Sequence, residues 1–597
     1  MHKALLLCLA FTVGSIQAAD NEAPAALFQA RCATCHKDPP LNRAPLPEAL
    51  KALSPNAIVD SLTTGSMRGQ GAALSVPQRL AIANWLSSRT NTTPATTSAS
   101  CAPDYTPTTD STYWNGWGAD DANSRFQPST QSGIQPARIP KLQLKWAFGF
   151  PSSSAALGQP SVYGGRLFFG SQDGTVYAAD TATGCIFWTY KARATTRTAP
   201  IIATVGHARH AVLIGDTQAN LYALDVRDGK LLWEHKLDNH PVARITGAPK
   251  LHGSRLYVPM SSIEEVAGGG PKYPCCTFRG SVVAVDIESG KPVWKTYTIP
   301  QPPAPTKKNA AGIQLYGPSG AAVWVSPTLD PAHRVLYIGT GNAYSDPPTP
   351  YSDAVIAIDM DSGAVKWSKQ LAANDGWNFA CVSPNKANCP EAVGPDVDIG
   401  ASPILRTLPD NKRVLLVGQK SGIVHALDPD NRGAIHWQTR IGQGGALGGI
   451  QWGMAASDTH LYVALSDVHL GDKAGGLFAL RIDTGEKRWQ APPIASTCKD
   501  TRGCTPAQMA PITATDGAVF SGSMDGMLRA YDANSGKVLW EFNTLRDFPT
   551  VNGVKAKGGS LSATGPVLAN GMLFVNSGYG VLGGIAGNVL LAFAPSH

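Results

Sequence analysis

The chain has 597 residues, 43% of them apolar and 16% charged, which is long enough for a large core and a second domain. Its formal net charge of +7 comes from 50 basic and 43 acidic side chains scattered without dense runs, so a basic nucleic-acid-binding tail is excluded. No internal apolar stretch has the length of a membrane-spanning helix.

At the amino terminus, Met1-His2-Lys3 precedes ALLLCLAFTVGSIQA, a short apolar run ending in small residues. It reads as a secretory signal over 1–18, cleaved after Ala18, and places the mature chain in the periplasm or outside the cell. Cleavage removes Cys8. Export permits disulfides. Cys381/Cys389 and Cys498/Cys504 bracket short loops and suit local bridges. Cys275 and Cys276 are adjacent, so a bond between them closes an eight-membered ring. Cys101 and Cys185 are left as a pair by elimination.

Residues 19–90 carry Cys32-Ala-Thr-Cys35-His36, the C-x-x-C-H pattern in which two thiols add to the haem vinyls and the histidine supplies an axial nitrogen. PAALFQARCATCH reads as a helix running into the motif. SPNAIVDSLTTG has a Ser54 cap, Pro55 in the first turn, apolar Ile58 and Leu62, and Gly65 at its end. SVPQRLAIANWLSS has a Ser75/Gln78 capping-box spacing and an Ile82/Trp85/Leu86 face. Three short helices around C-x-x-C-H resemble a small class I cytochrome c. In that family the sixth iron ligand is usually Met, and Met67 is the methionine between the signal and the next domain. The polar, Thr-rich stretch that follows reads as a linker over 91–108.

From 109 to 597 one pattern returns seven times: Ala-x-Asp (Ala-x-Arg in ALRIDTGEKRW), a short turn, Gly, three residues, Trp. The copies end at Trp188, Trp233, Trp294, Trp367, Trp437, Trp489 and Trp540. Alternating apolar runs before each copy read as paired strands, and Asp and Gly make the turn between two more. Such units bury their faces only by stacking, and radial stacking closes a propeller. An eighth Trp, Trp146 in KLQLKWAFGF, lacks the turn, whose missing half stands at 588–595 in NVLLAFAP. The expected fold is an all-β propeller of eight blades, the last shared between both ends, behind a small all-α cytochrome domain.

The A-x-D-x-x-[ST]-G-x-x-x-W repeat resembles the tryptophan-docking motif of the pyrroloquinoline quinone (PQQ) alcohol dehydrogenases. A haem domain placed before the propeller is similar to the polyvinyl alcohol dehydrogenase branch. An outer-membrane assembly lipoprotein has a similar propeller and no cofactor, so the cofactor rests on site residues. The resemblance implies Glu264 and Asn342 as ligands of calcium, a hard cation that takes carboxylate and amide oxygens. It implies Trp324 beneath the quinone, Arg197, Thr246, Ser261, Ser262 and Trp452 around it, and Lys420 paired with its oxygens.

Three places depart from the family pattern. Gln159 stands where the family has a cofactor-binding Glu. The adjacent Cys275-Cys276 lie a blade later than the family's pair, where they are expected to cover one face of the cofactor. The family's Asp-x-Trp-Asp reads Asp375-Gly-Trp377-Asn378 here, followed by an insert ending GPDVDIGASP. The catalytic base is therefore expected at Asp398, with Asp375 and then Asp396 behind it.

The activity implied is oxidation of a secondary alcohol, as in polyvinyl alcohol, to a ketone. An Asp takes the hydroxyl proton, and the quinone passes electrons to the fused haem and on to an external cytochrome c. Two alternatives stand beside it: a PQQ dehydrogenase for small alcohols, and a non-enzymatic propeller scaffold with an electron-transfer haem.

Overall fold

The computed structural model describes residues 23–37, 44–51, 53, 55–63, 67–71, 74–87, 101, 112–206, 209–498 and 501–596. The signal segment, the Ser54 cap, Gly65 and nearly all of the linker stretch lie outside these residues. Among the described residues no helix is long and apolar enough to cross a membrane.

Eight blades of antiparallel strands form the bulk of the chain. Blade 1 runs over 161–191, blade 2 over 201–236, blade 3 over 250–297, blade 4 over 328–370, blade 5 over 404–440, blade 6 over 455–491 and blade 7 over 513–543. Blade 8 is shared between the ends. Its strands 567–569, 572–577 and 589–595 are completed by Leu142–Gly149, with Phe148 opposite Leu590 and Gln143 opposite Ala594. This closure leaves the ring no free edge strand.

The repeat is explained by how one blade locks to the next. The indole nitrogens of Trp146, Trp188, Trp233 and Trp294 donate to the carbonyls of Thr181, Val226, Ile287 and Met360 in the following blade. Trp437, Trp489 and Trp540 do the same with Ile482, Ala533 and Leu142. Every ring but that of Trp540 also lies against the glycine of the next copy. A Cβ at Gly184, Gly229, Gly290, Gly363, Gly433, Gly485 or Gly536 would meet the preceding blade's indole at 2.4–2.9 Å. The same glycines have φ of +69° to +74°, so both the turn and the close approach demand Gly.

The segment 114–127 closes the hub and touches every blade in turn. Trp114 bridges Val162 of blade 1, Asn115 bonds Ile202 of blade 2, and Lys250 of blade 3 donates to the Asp120 carbonyl. Leu329, Leu405 and Ala456 of blades 4, 5 and 6 donate to the carbonyls of Asp121, Ala122 and Ser124. Arg125 completes the circuit: its guanidinium donates to the Ile512 carbonyl and the Thr513 hydroxyl of blade 7 and the Pro566 carbonyl at blade 8. It is 1% exposed, and burial pulls its pKa down to about 9. Gln159 bonds Arg125 and the Gly116 and Trp117 carbonyls, so it serves this plug.

The N-terminal helices are α1 (Pro24–Arg31), α2 (Pro47–Lys51), α3 (Pro55–Thr63), α4 (Arg68–Gly71) and α5 (Val76–Leu86). Leu27, Phe28, Ile58, Leu62, Ile82 and Leu86 form their core. The Ser75/Gln78 capping box is present at α5. Trp85 departs from the expected buried face: it is 47% exposed, and its ring leans on Phe28 from outside. Four disulfides join Cys101–Cys185, Cys275–Cys276, Cys381–Cys389 and Cys498–Cys504, the first tying the chain after the helices to blade 1.

Candidate active site

A single cavity of about 1200 Å³ opens on the propeller face and runs on into the helical domain. Its helical end is lined by Cys32, Cys35, His36 and Met67, with Leu50, Leu53, Ile58 and Ile82 as apolar wall. Its propeller end is lined by Arg197, Thr246, Ser261, Ser262, Trp324, Asp398, Lys420 and Trp452. These residues come from blades 1 to 6 and meet only because the ring closes.

The three carboxylates weighed as the base part company here. Asp398 lines the cavity: its Oδ2 accepts the Trp324 indole N–H at 2.8 Å, and its other side is paired with the Lys420 ammonium. Asp375 does not line it; its oxygens accept the backbone N–H groups of Asp396 at 2.9 Å and Val397 at 2.6 Å, clamping the loop that carries Asp398. Asp396, with φ of +60°, turns inward and accepts from Lys420 at 3.0 Å, away from the cavity wall. Lys420 thus bridges two buried carboxylates, and it lies 5.5 Å over the Trp324 ring.

Behind this triad lies Asp353, which the sequence did not single out. It is fully buried among other carboxylates, with the Ser352 hydroxyl as its neighbour. Burial, with the like charges of Asp375, Asp398 and Asp396, holds its pKa well above the usual carboxylate range. A carboxyl whose folded pKa exceeds its unfolded value subtracts stability as pH rises between the two. Asp353→Asn is therefore expected to melt above the parent at neutral pH. The gap should close towards about pH 4, the unfolded value. Equal melting temperatures across that range would contradict the assignment.

The comparisons bear on this geometry. A family model described as "Outer membrane protein assembly factor BamB" matches residues 143–369 and 420–589, and one for "Cytochrome C oxidase, cbb3-type, subunit III" matches 19–86. A "Polyvinylalcohol dehydrogenase" of Pseudomonas sp is 40% identical, covering 98% of this chain and 95% of its own. The chain belongs to the polyvinyl alcohol dehydrogenase family. A second such protein, from Sphingopyxis sp. (strain 113P3), is also 40% identical over 95% of this chain and 92% of its own. The quinohemoprotein alcohol dehydrogenase of Comamonas testosteroni aligns at a TM-score of 0.59 over 81% of each chain with 18% identity, which speaks for the fold. The chain is a PQQ-dependent alcohol oxidoreductase with a cytochrome domain.

The cavity fits both organic cofactors of a polyvinyl alcohol dehydrogenase. His36 lines the cavity and is 6% exposed, and its Nδ1 is bonded to the Pro45 carbonyl at 2.6 Å, which leaves Nε2 as the nitrogen that would take a metal. Burial lowers the His36 pKa and keeps the imidazole neutral. The thiols of Cys32 and Cys35 are in no disulfide. At the quinone end, Arg197 stands 5.4 Å over the Trp452 ring, and Trp452 meets Trp324 edge-on at 5.2 Å. The Trp452 indole N–H is buried without a partner, a donor left for a carboxylate-rich ligand. Thr246 and Ser261 hydroxyls, 2.6 Å apart, add two more polar contacts.

The expected calcium pair does not fit. Asn342 keeps a buried Oδ1 without a partner while its Nδ2 donates to Trp377. Glu264, however, turns away: its carboxylate accepts the N–H groups of Thr277 and Phe278 and the Tyr273 hydroxyl, and Glu265 lines the cavity instead. Among the described residues no group of three or more His, Cys, Asp or Glu is placed to hold a metal ion. The Cys275–Cys276 disulfide also departs from expectation. It is at most 1% exposed, packs in the core beneath Gly268 and Asn378, and does not line the cavity. Asn388 ties the segments 268–273 and 309 to its own loop. It donates to the carbonyls of Gly268, Gly270 and Tyr273, and shares a bond with Asn309.

Proposed function

We propose that the protein oxidises secondary alcohol groups, those of polyvinyl alcohol among them, to ketones, and passes the electrons through its own haem to an external cytochrome c. The observation that carries the reading is the position of Asp398 beside Trp324 and Lys420 at the floor of a cavity that also reaches His36 and Met67.

Asp398 accepts the hydroxyl proton of the bound alcohol, which makes the carbinol hydrogen a better hydride. Trp324 and Lys420 hold that carboxylate in place and support its charge until the hydroxyl arrives. PQQ, held by Trp324, Trp452, Arg197, Thr246, Ser261 and Ser262, supplies the two-electron oxidant. Haem c, which Cys32 and Cys35 would hold covalently and His36 and Met67 would ligate, would supply the one-electron acceptor. Lys420, buried between Asp396 and Asp398, would lend a fixed positive charge to an anionic ligand at this end of the cavity. The aqueous end of the cavity takes the released proton. Export to the periplasm by the 1–18 signal suits a protein with four disulfides.

The test is product analysis. Protein loaded with PQQ and haem, mixed anaerobically with a secondary alcohol, should yield the ketone and a reduced haem spectrum. Haem that stays oxidised, with no ketone formed, would contradict the proposal.

A further inference from the structure

The stretch 442–449, between blades 5 and 6, reads GQGGALGG, with five glycines in eight residues. A segment so rich in glycine has much conformational freedom to lose and few side chains of its own to hold it. It is tied down nonetheless, and the ties converge on Asp467, which does not itself line the cavity. Asp467 is 1% exposed and follows blade 6's strand 460–464. Its Oδ1 accepts the N–H groups of Gly449 at 2.7 Å and Gly444 at 3.0 Å, and its Oδ2 accepts that of Gln443 at 2.7 Å. An Asp ahead of a helical turn ordinarily caps it. Asp467 precedes the short helix Val468–Lys473 without capping it, so its carboxylate is given to the loop. The fit is close from the loop's side as well: a Cβ on Gly448 would lie 2.9 Å from Oδ1, and one on Gly442 2.6 Å from Oδ2.

The loop held in this way serves the site at two places. Gly445 donates to the Lys420 carbonyl at 3.0 Å, and the Lys420 N–H donates to the Asp398 carbonyl at 3.2 Å. A Cβ on Gly444 or Gly449 would lie 2.6 or 2.3 Å from the Lys420 carbonyl oxygen. The loop therefore packs backbone to backbone on the residue that bridges Asp396 and Asp398. At its far end the loop runs from Gly449 into Gln451 and Trp452, which line the cavity together with Leu447. The Gln451 amide donates to the Gly448 carbonyl at 2.6 Å. Ser466, next to Asp467, donates its hydroxyl to the Leu447 carbonyl at 2.6 Å and its N–H to the Gly449 carbonyl at 2.9 Å. The segment carrying Trp452 and the backbone of Lys420 thus both hang on a loop fixed by one carboxylate.

Resting on the function proposed above, we propose that Asp467 is a positioning residue of the active site. Its carboxylate holds the loop 442–449 in the arrangement that presents Lys420 and Trp452 to the same ligand, and it does so before the ligand arrives. A loop ordered in advance removes part of the entropy cost of binding.

The test combines amide hydrogen exchange with equilibrium dialysis of PQQ, on the haem-loaded full chain and two variants. In the parent without PQQ, the amides of 443–449 should already be protected; free exchange there would overturn the proposal with no variant needed. Asp467 has φ of +42°. Asp467→Asn keeps a residue at home in that left-handed region but exchanges one acceptor oxygen for an amide donor. Asp467→Gly relaxes the backbone and removes both oxygens. If only the turn mattered, both variants would behave as the parent. The proposal expects faster exchange over 443–449 in both, with blade 2 (201–236) unchanged. The PQQ dissociation constant should rise about tenfold in Asp467→Asn and on the order of a hundredfold in Asp467→Gly, since a hydrogen bond to a charged group is worth roughly tenfold or more. Turnover at saturating PQQ should fall less than affinity does, because the bound cofactor then orders the loop itself. Parent-like affinity in both variants, or exchange that rises throughout the propeller, overturns the role of Asp467 alone. A parent that binds no PQQ overturns the function on which it rests.

Discussion

Asp398→Asn should lower the kcat of alcohol-driven haem reduction by about 10²–10⁴-fold, the range expected when a general base is lost. PQQ affinity and melting temperature should stay close to the parent's, because Lys420 keeps its second partner, Asp396. Asp375→Asn gives the contrasting result. Its two oxygens both accept backbone N–H groups, and an amide can accept only at one side. The loop that carries Asp398 then loosens, so stability and activity fall together. Single-turnover rates paired with melting curves separate the two roles. A full rate in Asp398→Asn would place the base elsewhere.

Arg125→Leu should cost about 3–5 kcal/mol, the largest loss expected from any single change in the plug. The side chain donates to the Ile512 and Pro566 carbonyls, to Thr513 and to Gln159, and it stacks 5.4 and 4.9 Å from Trp114 and Trp117. Leucine fills the volume but leaves these buried acceptors without a donor, each costing about 1–3 kcal/mol. Relief from burying a charge without a carboxylate partner offsets part of that. The plug also underlies the site: a Cβ on Gly453, next to Trp452, would lie 3.6 Å from Arg125 Cδ. The variant should therefore unfold earlier in denaturant and bind PQQ more weakly. An unchanged unfolding midpoint would contradict the hub role given to 114–127.

Features fixed by local chemistry were legible in the sequence. Seven of the eight docking tryptophans, all but Trp540, meet a glycine of the next repeat at a positive φ, so the propeller could be read from spacing, and its shared blade from the half-repeats at its two ends. The haem motif is local in the same way, and so is the α5 capping box. What escaped was orientation set by distant loops. Glu264 lies at the expected place in the chain, but the Thr277 and Phe278 amides take up its carboxylate, and it does not line the cavity. Asp375 keeps the family's spacing while its oxygens serve the loop 394–398. The plug 114–127 has no periodicity at all, since each residue answers a different blade.

The central claim is that the alcohol's electrons reach a haem on the same chain through one continuous cavity. Stopped-flow haem reduction, followed after mixing loaded protein with 4-heptanol over a hundredfold range of protein concentration, tests it most directly. The account predicts a first-order rate that does not change with protein concentration. A rate that rises in proportion to protein concentration would mean that electrons pass between molecules, and would contradict it.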